Sequence, residues 1–198
     1  GILGHGNVAG LGQALQELGP QYGLASWRGQ NEQAMVHTAV AFAKHTNRLQ
    51  VQAVTASIGP GSLNMVTAAA GATVNRLPVL LLPSDYFANR SPDPVLQQLE
   101  HPGSFDLTVN EAFRPVSRFY ARIERPDQLP ATLLAAMRVL TDPADTGAVT
   151  VCLPEDVQAE AWEWPEQLFR ERDWLVRRPP AEELVLAEAA ALLAAAKR

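Results

Sequence analysis

Cysteine is nearly absent from this chain. Cys152 is the single one in 198 residues, which excludes a disulfide framework and a thiolate metal cluster. It sits in the strand-like run Gly147-Ala148-Val149-Thr150-Val151-Cys152-Leu153 and reads as a small buried hydrophobe. Long apolar runs are absent too, and none reaches the roughly 18 residues of a membrane span. There is no block of like charge. The formal net charge is −5 with 19% charged residues, so the clustered basic face of a nucleic-acid binder is missing. No internal repeat and no signal peptide are visible. The first residue is Gly, so the reading places the true N-terminus upstream, and a reducing cytoplasm is the expected compartment. With 47% hydrophobic residues, a chain of this length can bury a core without a metal or a disulfide.

Short apolar runs alternate with helical patterns along the chain. Strands are expected at Gly1-Ile2-Leu3, at residues 22–27, at 49–55, at 77–82, within 114–123 and at 148–153. Helices are expected at 8–18, 31–44, 62–74, 126–140 and 182–196, with a short one at 95–99 inside an otherwise irregular, Pro-bearing stretch from Tyr86 to Asp106. The run from Leu77 to Leu82 reads as a strand covered on both faces. This alternation predicts an α/β fold: a six-stranded, mainly parallel sheet with helices on both faces, its first strand completed upstream. Residues 161–180, with Trp162, Trp164 and Trp174, read as a linker whose indoles pack onto the domain. Residues 181–198 read as the first helix of a further domain.

Two Gly-bearing loops flank one acid. Gly4-His5-Gly6-Asn7-Val8-Ala9 fits a loose dinucleotide fingerprint, and Glu32 lies at a plausible offset for a ribose-binding acid. In that fold, however, the acid ends the second strand. Here Gly29, Gln30 and Asn31 intervene and Glu32 opens a helix. The second loop, Thr55-Ala56-Ser57-Ile58-Gly59-Pro60-Gly61-Ser62, joins a strand to a helix; its glycines allow a close backbone approach and Pro60 stiffens the turn. Taken alone, Glu32 needs no function, because a carboxylate in a first helical turn gains roughly 0.3–1 kcal/mol from the macrodipole. His5 lies in the first loop and could reach a substrate. His37 and His45 fall on a helix and at its end, and His101 carries no readable signal. No set of these residues has metal-ligand spacing.

Together, Glu32, Ser57-Ile58-Gly59-Pro60-Gly61 and Asn64 resemble the thiamine-diphosphate-dependent enzymes. The resemblance covers residues 1 to about 160 and points to their pyrimidine-binding domain. Longer runs sharpen it: Gly4 to Val8, Asn31 to Met35, Pro92 to Gln98, Phe113 to Ser117 and Met137 to Pro143 resemble the branch that opens a cyclic 1,2-diketone with water in inositol breakdown, giving 5-deoxyglucuronate. The resemblance implies thiamine diphosphate and Mg2+ as cofactors, and a homodimer or higher homo-oligomer with the site between subunits. It implies that Glu32 is catalytic and hydrogen-bonds a ring nitrogen of the aminopyrimidine. It implies further that Pro60 and Asn64 contact that ring, and that His5 and Gln97 face the substrate.

The resemblance also defines what is lacking. The diphosphate and the metal are normally held by another domain marked by Gly-Asp-Gly, a triplet that does not occur here. The expectation is therefore a piece of an enzyme that cannot catalyse alone. Two other readings stand beside it. One is an acetolactate-synthase-like carboligase or decarboxylase of 2-oxo acids, which usually carries His where this chain has Asn31. The other is a non-catalytic dimerisation or nucleotide-binding module of the same fold.

Overall fold

The structure, a computed structural model, describes residues 6–89, 97–99, 101, 103–104 and 107–197. Four parallel strands form its sheet: β1 (Ala53–Ala56), β2 (Val79–Asp85), β3 (Phe119–Arg122) and β4 (Ala148–Pro154), in the order β1-β2-β4-β3. The register pairs Val54 with Leu81, Leu80 with Val149, and Tyr120 with Thr150. Helices fill the crossings: α1 (Ala9–Glu17), α2 (Glu32–His45), α3 (Pro60–Leu63), α4 (Val66–Val74), α5 (Leu129–Leu140), α6 (Glu155–Gln158) and α7 (Glu183–Ala195).

Strands β2 and β4 are buried along nearly their whole length, because each is flanked by strands and covered on both faces. One core cluster joins Met35, Val36 and Ala39 of α2 to Ala68, Ala69 and Ala72 of α4, beneath β1, β2 and Phe113. The other joins Ala136 and Leu140 of α5 to Val149, Val151, Ile123 and Val157. The alanines of α4 keep that helix close to the sheet, where a bulkier stripe would hold it away.

The sheet has four strands among the described residues, where six were expected. The segment at residues 1–3 lies outside the described residues. Residues 22–27 are not a strand: a 3-10 turn at Gly19–Tyr22 leads into irregular chain, with Tyr22, Leu24 and Trp27 at 75%, 59% and 68% exposure. The reason is the lack of a neighbour. A strand needs a ladder partner, and β1 pairs only with β2 among the described residues.

Three other elements are shorter or divided. Strand β1 starts at Ala53, where pairing with Leu80 begins, so Leu49 and Val51 stay exposed. The expected helix at 62–74 is two helices, broken at Asn64 and Met65. Of the short helix expected at 95–99, residues 95 and 96 lie outside the described residues. Residues 97–99 are not helical, and Gln97 has φ 67°.

Between Gln158 and α7 the chain has no regular element apart from a 3-10 turn at Glu166–Phe169. Trp164 and Trp174 are half-buried, whereas Trp162 is exposed. Helix α7 buries no residue. No helix among the described residues is long and apolar enough to cross a membrane.

Phe113 is the largest fully buried side chain and lies in the first cluster. Phe113→Ala should cost about 3–5 kcal/mol, the sum of lost transfer energy and a cavity. Urea unfolding should show a lower midpoint at unchanged slope.

Candidate functional site

Glu32 is the first residue of α2, and the approach to it is tightly specified. Asn31 caps the helix: its backbone is extended and its Oδ1 accepts from the Ala34 amide at 2.9 Å, the arrangement that satisfies an orphan donor. Just upstream, Gly29 lies against Met35 so closely that a Cβ there would overlap the Met35 side chain. These features fix where the Glu32 carboxylate begins.

The second loop fixes where it ends. Strand β1 is braced by Thr55, whose hydroxyl donates to the Leu82 carbonyl at 2.8 Å. The chain then turns through Ser57, fully buried Ile58 and Gly59 into the short helix α3. Gly59 has φ 68° and ψ −127°, a conformation open essentially to glycine alone. A Cβ there would also strike the backbone carbonyl of Gln97. The Gly59 carbonyl accepts from Ser62 Oγ at 3.0 Å. Pro60 opens α3 and is exposed; Asn64 closes it.

The start of α2 and the end of α3 meet through a hydrogen bond. Asn64 Nδ2 donates to Glu32 Oε2 at 2.8 Å, across 32 residues of sequence. The other carboxylate oxygen, Oε1, lies 3.4 Å from the point a Cβ on Gly61 would occupy. Glu32 is half-buried. It is thus neither a solvated surface acid nor a buried ion-pair partner, but a carboxylate held on one side by a neutral amide.

Of the residues singled out from sequence, the structure brings Glu32, Asn64 and Pro60 into one constellation. Gln97 enters through its backbone, stacked on Gly59. His5 lies outside the described residues. His37 is exposed on α2 with Gln33 at 3.4 Å, and His45 and His101 are exposed. Cys152 is buried, and burial pushes its thiol up.

A second polar centre was not read from the sequence. Asp85, the last residue of β2, has a fully buried side chain, and its Oδ2 receives Arg122 Nε at 2.8 Å. Its Oδ1 accepts from the Tyr86 amide at 2.9 Å and from Thr108 Oγ1 at 2.5 Å. Burial pulls the Arg122 guanidinium down, but Asp85 and Glu124 outweigh it and its pKa is raised. The signal available was an acid ending an apolar strand, which looks the same in sequence as a solvated strand end.

A cavity of about 580 Å³ lies at β3, on the sheet edge opposite β1, lined by Arg114, Tyr120, Arg122, Glu124 and Gln128 among others. Its charges are matched internally: Arg114 pairs with Glu111, and Arg122 with Asp85 and Glu124. It is separate from the Glu32 constellation.

Comparison with known proteins places this geometry in context. A 3D-(3,5/4)-trihydroxycyclohexane-1,2-dione hydrolase of Geobacillus thermodenitrificans is 56% identical over 185 residues, covering 93% of this chain and 29% of that protein. Proteins of the same name from Bacillus cereus and Bacillus anthracis are 51% identical over 197 residues, covering all of this chain and 30% of theirs. The chain therefore spans just under a third of the length of the curated relatives it matches. Residues 6–104 match the family described as thiamine pyrophosphate enzyme, N-terminal TPP binding domain. That match takes in Glu32, the Ser57–Gly61 loop and Asn64, and the chain belongs to this family.

Proposed function

We propose that this chain is the pyrimidine-binding part of a thiamine-diphosphate-dependent hydrolase. The proposed reaction cleaves a carbon–carbon bond of the cyclic trihydroxycyclohexane-1,2-dione and yields 5-deoxyglucuronate in inositol catabolism. The observation that carries the reading is the Asn64–Glu32 hydrogen bond, which leaves Glu32 Oε1 facing the Gly61 backbone.

The residues present fit the aminopyrimidine. Gly59 and Gly61 let the loop close against Gln97 and Ser57, where a Cβ at either glycine would collide, Pro60 is exposed between them, and a carboxylate and an amide converge beside the loop. When bound, the cofactor supplies the carbon nucleophile and the electron sink. The work assigned to this chain is narrower. Glu32 holds a proton at its carboxylate against a ring nitrogen. Asn64 orients that carboxylate. Pro60 and the two glycines set the depth of the ring, and His5 and Gln97 face the substrate. A partly dehydrated wall strengthens the carboxylate's hydrogen bond.

The wider reading follows the family. Residues 1–160 form the pyrimidine-binding domain, 161–180 a linker, and 181–198 the first helix of a central domain. The last assignment is supported by Leu192 and Leu193 of α7, which are 75% and 77% exposed. The diphosphate and Mg2+ are held by a part of the polypeptide carrying Gly-Asp-Gly. The enzyme is a cytoplasmic homodimer or higher homo-oligomer with its site between subunits, a reading favoured by the half-open Glu32 and the exposed Tyr22, Leu24 and Trp27.

The test uses the full-length polypeptide, assayed with the cyclic dione and with pyruvate. Turnover of the dione supports the reading. Turnover of pyruvate alone would identify a 2-oxo-acid carboligase or decarboxylase, and no turnover with either, without cofactor binding, would identify a non-catalytic module. Glu32→Gln should lower dione turnover by at least about a hundredfold, the lower range for a proton-transfer residue, with unfolding unchanged. Normal proton exchange at the thiazolium carbon in that variant would overturn the role. Hydrogen bonds to charged groups contribute about 1.5–3 kcal/mol. Asn64→Leu should therefore raise the half-saturating thiamine diphosphate concentration by about tenfold or more, read by cofactor titration.

A further inference from the structure

We propose that the Asp85–Arg122 ion pair is a positioning device for the substrate side of the site. It ties residue 86 to residues 107–108, on either side of Gln97 in the β2-to-β3 crossing, and so sets the seat of Gln97 on Gly59. The pair is set apart by its cost. Withdrawing two charges from water is expensive, and a buried pair is often no more stable than an apolar replacement of the same shape. Asp85 is nevertheless fully buried and Arg122 is 9% exposed, so what the pair holds is more telling than what it adds in stability.

It holds both ends of one segment. On the near side, Asp85 Oδ1 takes the Tyr86 amide, and Arg122 Nη2 donates to the Tyr86 carbonyl at 3.1 Å. The guanidinium also stands 5.2 Å over the Tyr86 ring. On the far side, the same Oδ1 takes the Thr108 hydroxyl, which in turn accepts from the Asn110 amide at 3.3 Å. Tyr86 Oη reaches the Leu107 carbonyl at 3.5 Å. Asp156 adds a second hold on the near side, accepting from the Ala88 and Asn89 amides at 2.9 and 3.1 Å. Residues 86 and 107–108 are therefore clamped at the carboxyl end of the sheet.

Between these ends, Gln97 meets the cofactor-side loop. Its carbonyl sits where any Cβ on Gly59 would be, and its own φ of 67° is a left-handed conformation that Gln adopts at a cost. A residue in such a conformation persists only where its surroundings impose it. The ion pair supplies that constraint through the two ends. Asp85 and Arg122 thus act through Gln97 and Gly59 and touch no reacting atom.

The bearing on substrate rests on the proposed function; the bearing on segment order does not, and the experiment separates them. Hydrogen exchange is followed in the full-length polypeptide and in Asp85→Asn, Arg122→Lys and Thr108→Val. In Asp85→Asn, amides at 86–89, 97–99 and 107–108 should exchange at least about tenfold faster, with β1, α2 and α4 within about twofold of the parent, as expected for local rather than global opening. Arg122→Lys, which keeps the charge, should retain part of the protection that Asp85→Asn loses. Thr108→Val frees only the far end and should speed 97–99 and 107–108 but not 86–89; it also serves if Asp85→Asn does not fold. Where the parent turns over the dione, KM should rise more than kcat falls. Unchanged exchange at 97–99 in Thr108→Val and Asp85→Asn, or acceleration of α2 and α4 by the same factor, would overturn the proposal whatever the parent's substrate.

Discussion

The parallel sense of the sheet is the constraint on which the site depends. When β1, β2 and β4 run the same way, their carboxyl ends fall on one edge and the chain leaves each of them there. Helices cover both faces, so a ligand finds open backbone only at the strand ends. The Ser57–Gly61 loop follows β1, Asp85 and Tyr86 end β2, and Pro154 ends β4 with α6 beginning at once. Gly59 and Gln97 can meet because these exits are neighbours, as are Asp85 and Thr108. Ser84 and Gln158 knit the same edge further: Gln158 donates to the carbonyls of Asn7 at 2.9 Å and Leu153 at 2.8 Å, and Asn110 donates to the Ser84 carbonyl at 2.8 Å.

Two carboxylates on that edge are handled in opposite ways. Asp85 receives an amide, a hydroxyl and a guanidinium, so both of its oxygens are committed. That is what a buried charge requires. Glu32 receives one side-chain amide hydrogen bond and is half-open. An acid with spare acceptor capacity beside a loop of glycines has room for a ligand donor; a saturated acid has none. The two carboxylates thus differ in how many donors each already holds.

Much of this was legible in the sequence, for local reasons. The helical stripe at Met35, Ala39 and Ala43 and the doubly apolar run around Val79–Leu82 reflect burial by period, and both elements stand where periodicity puts them. Gly59 as a turn residue was equally visible, because the backbone freedom of glycine is a local property. What depended on partners was not. Residues 22–27 carry a strand's composition yet remain irregular, since pairing is decided by a neighbour that composition does not contain. The break at Asn64 was hidden for the same reason: the amide that leaves the helix line there bonds a carboxylate 32 residues away. Asp85 and Arg122, 37 residues apart, left no trace of their pairing in the sequence.

The choice of Asn at position 64 has a physical consequence beyond holding Glu32 in place. An Arg there would present a planar fork that takes both carboxylate oxygens at once, and would leave Glu32 committed as Asp85 is. An Asn amide directs one N–H to one oxygen and adds no charge. It fixes the orientation of the carboxylate while the second oxygen stays available towards Gly61. The short helix between Pro60 and Leu63 makes this possible, because it ends where the amide must stand. Glu32 is thus oriented by its own domain, with its second oxygen left facing Gly61. The same geometry would serve a structural acid poorly and a proton-handling acid well.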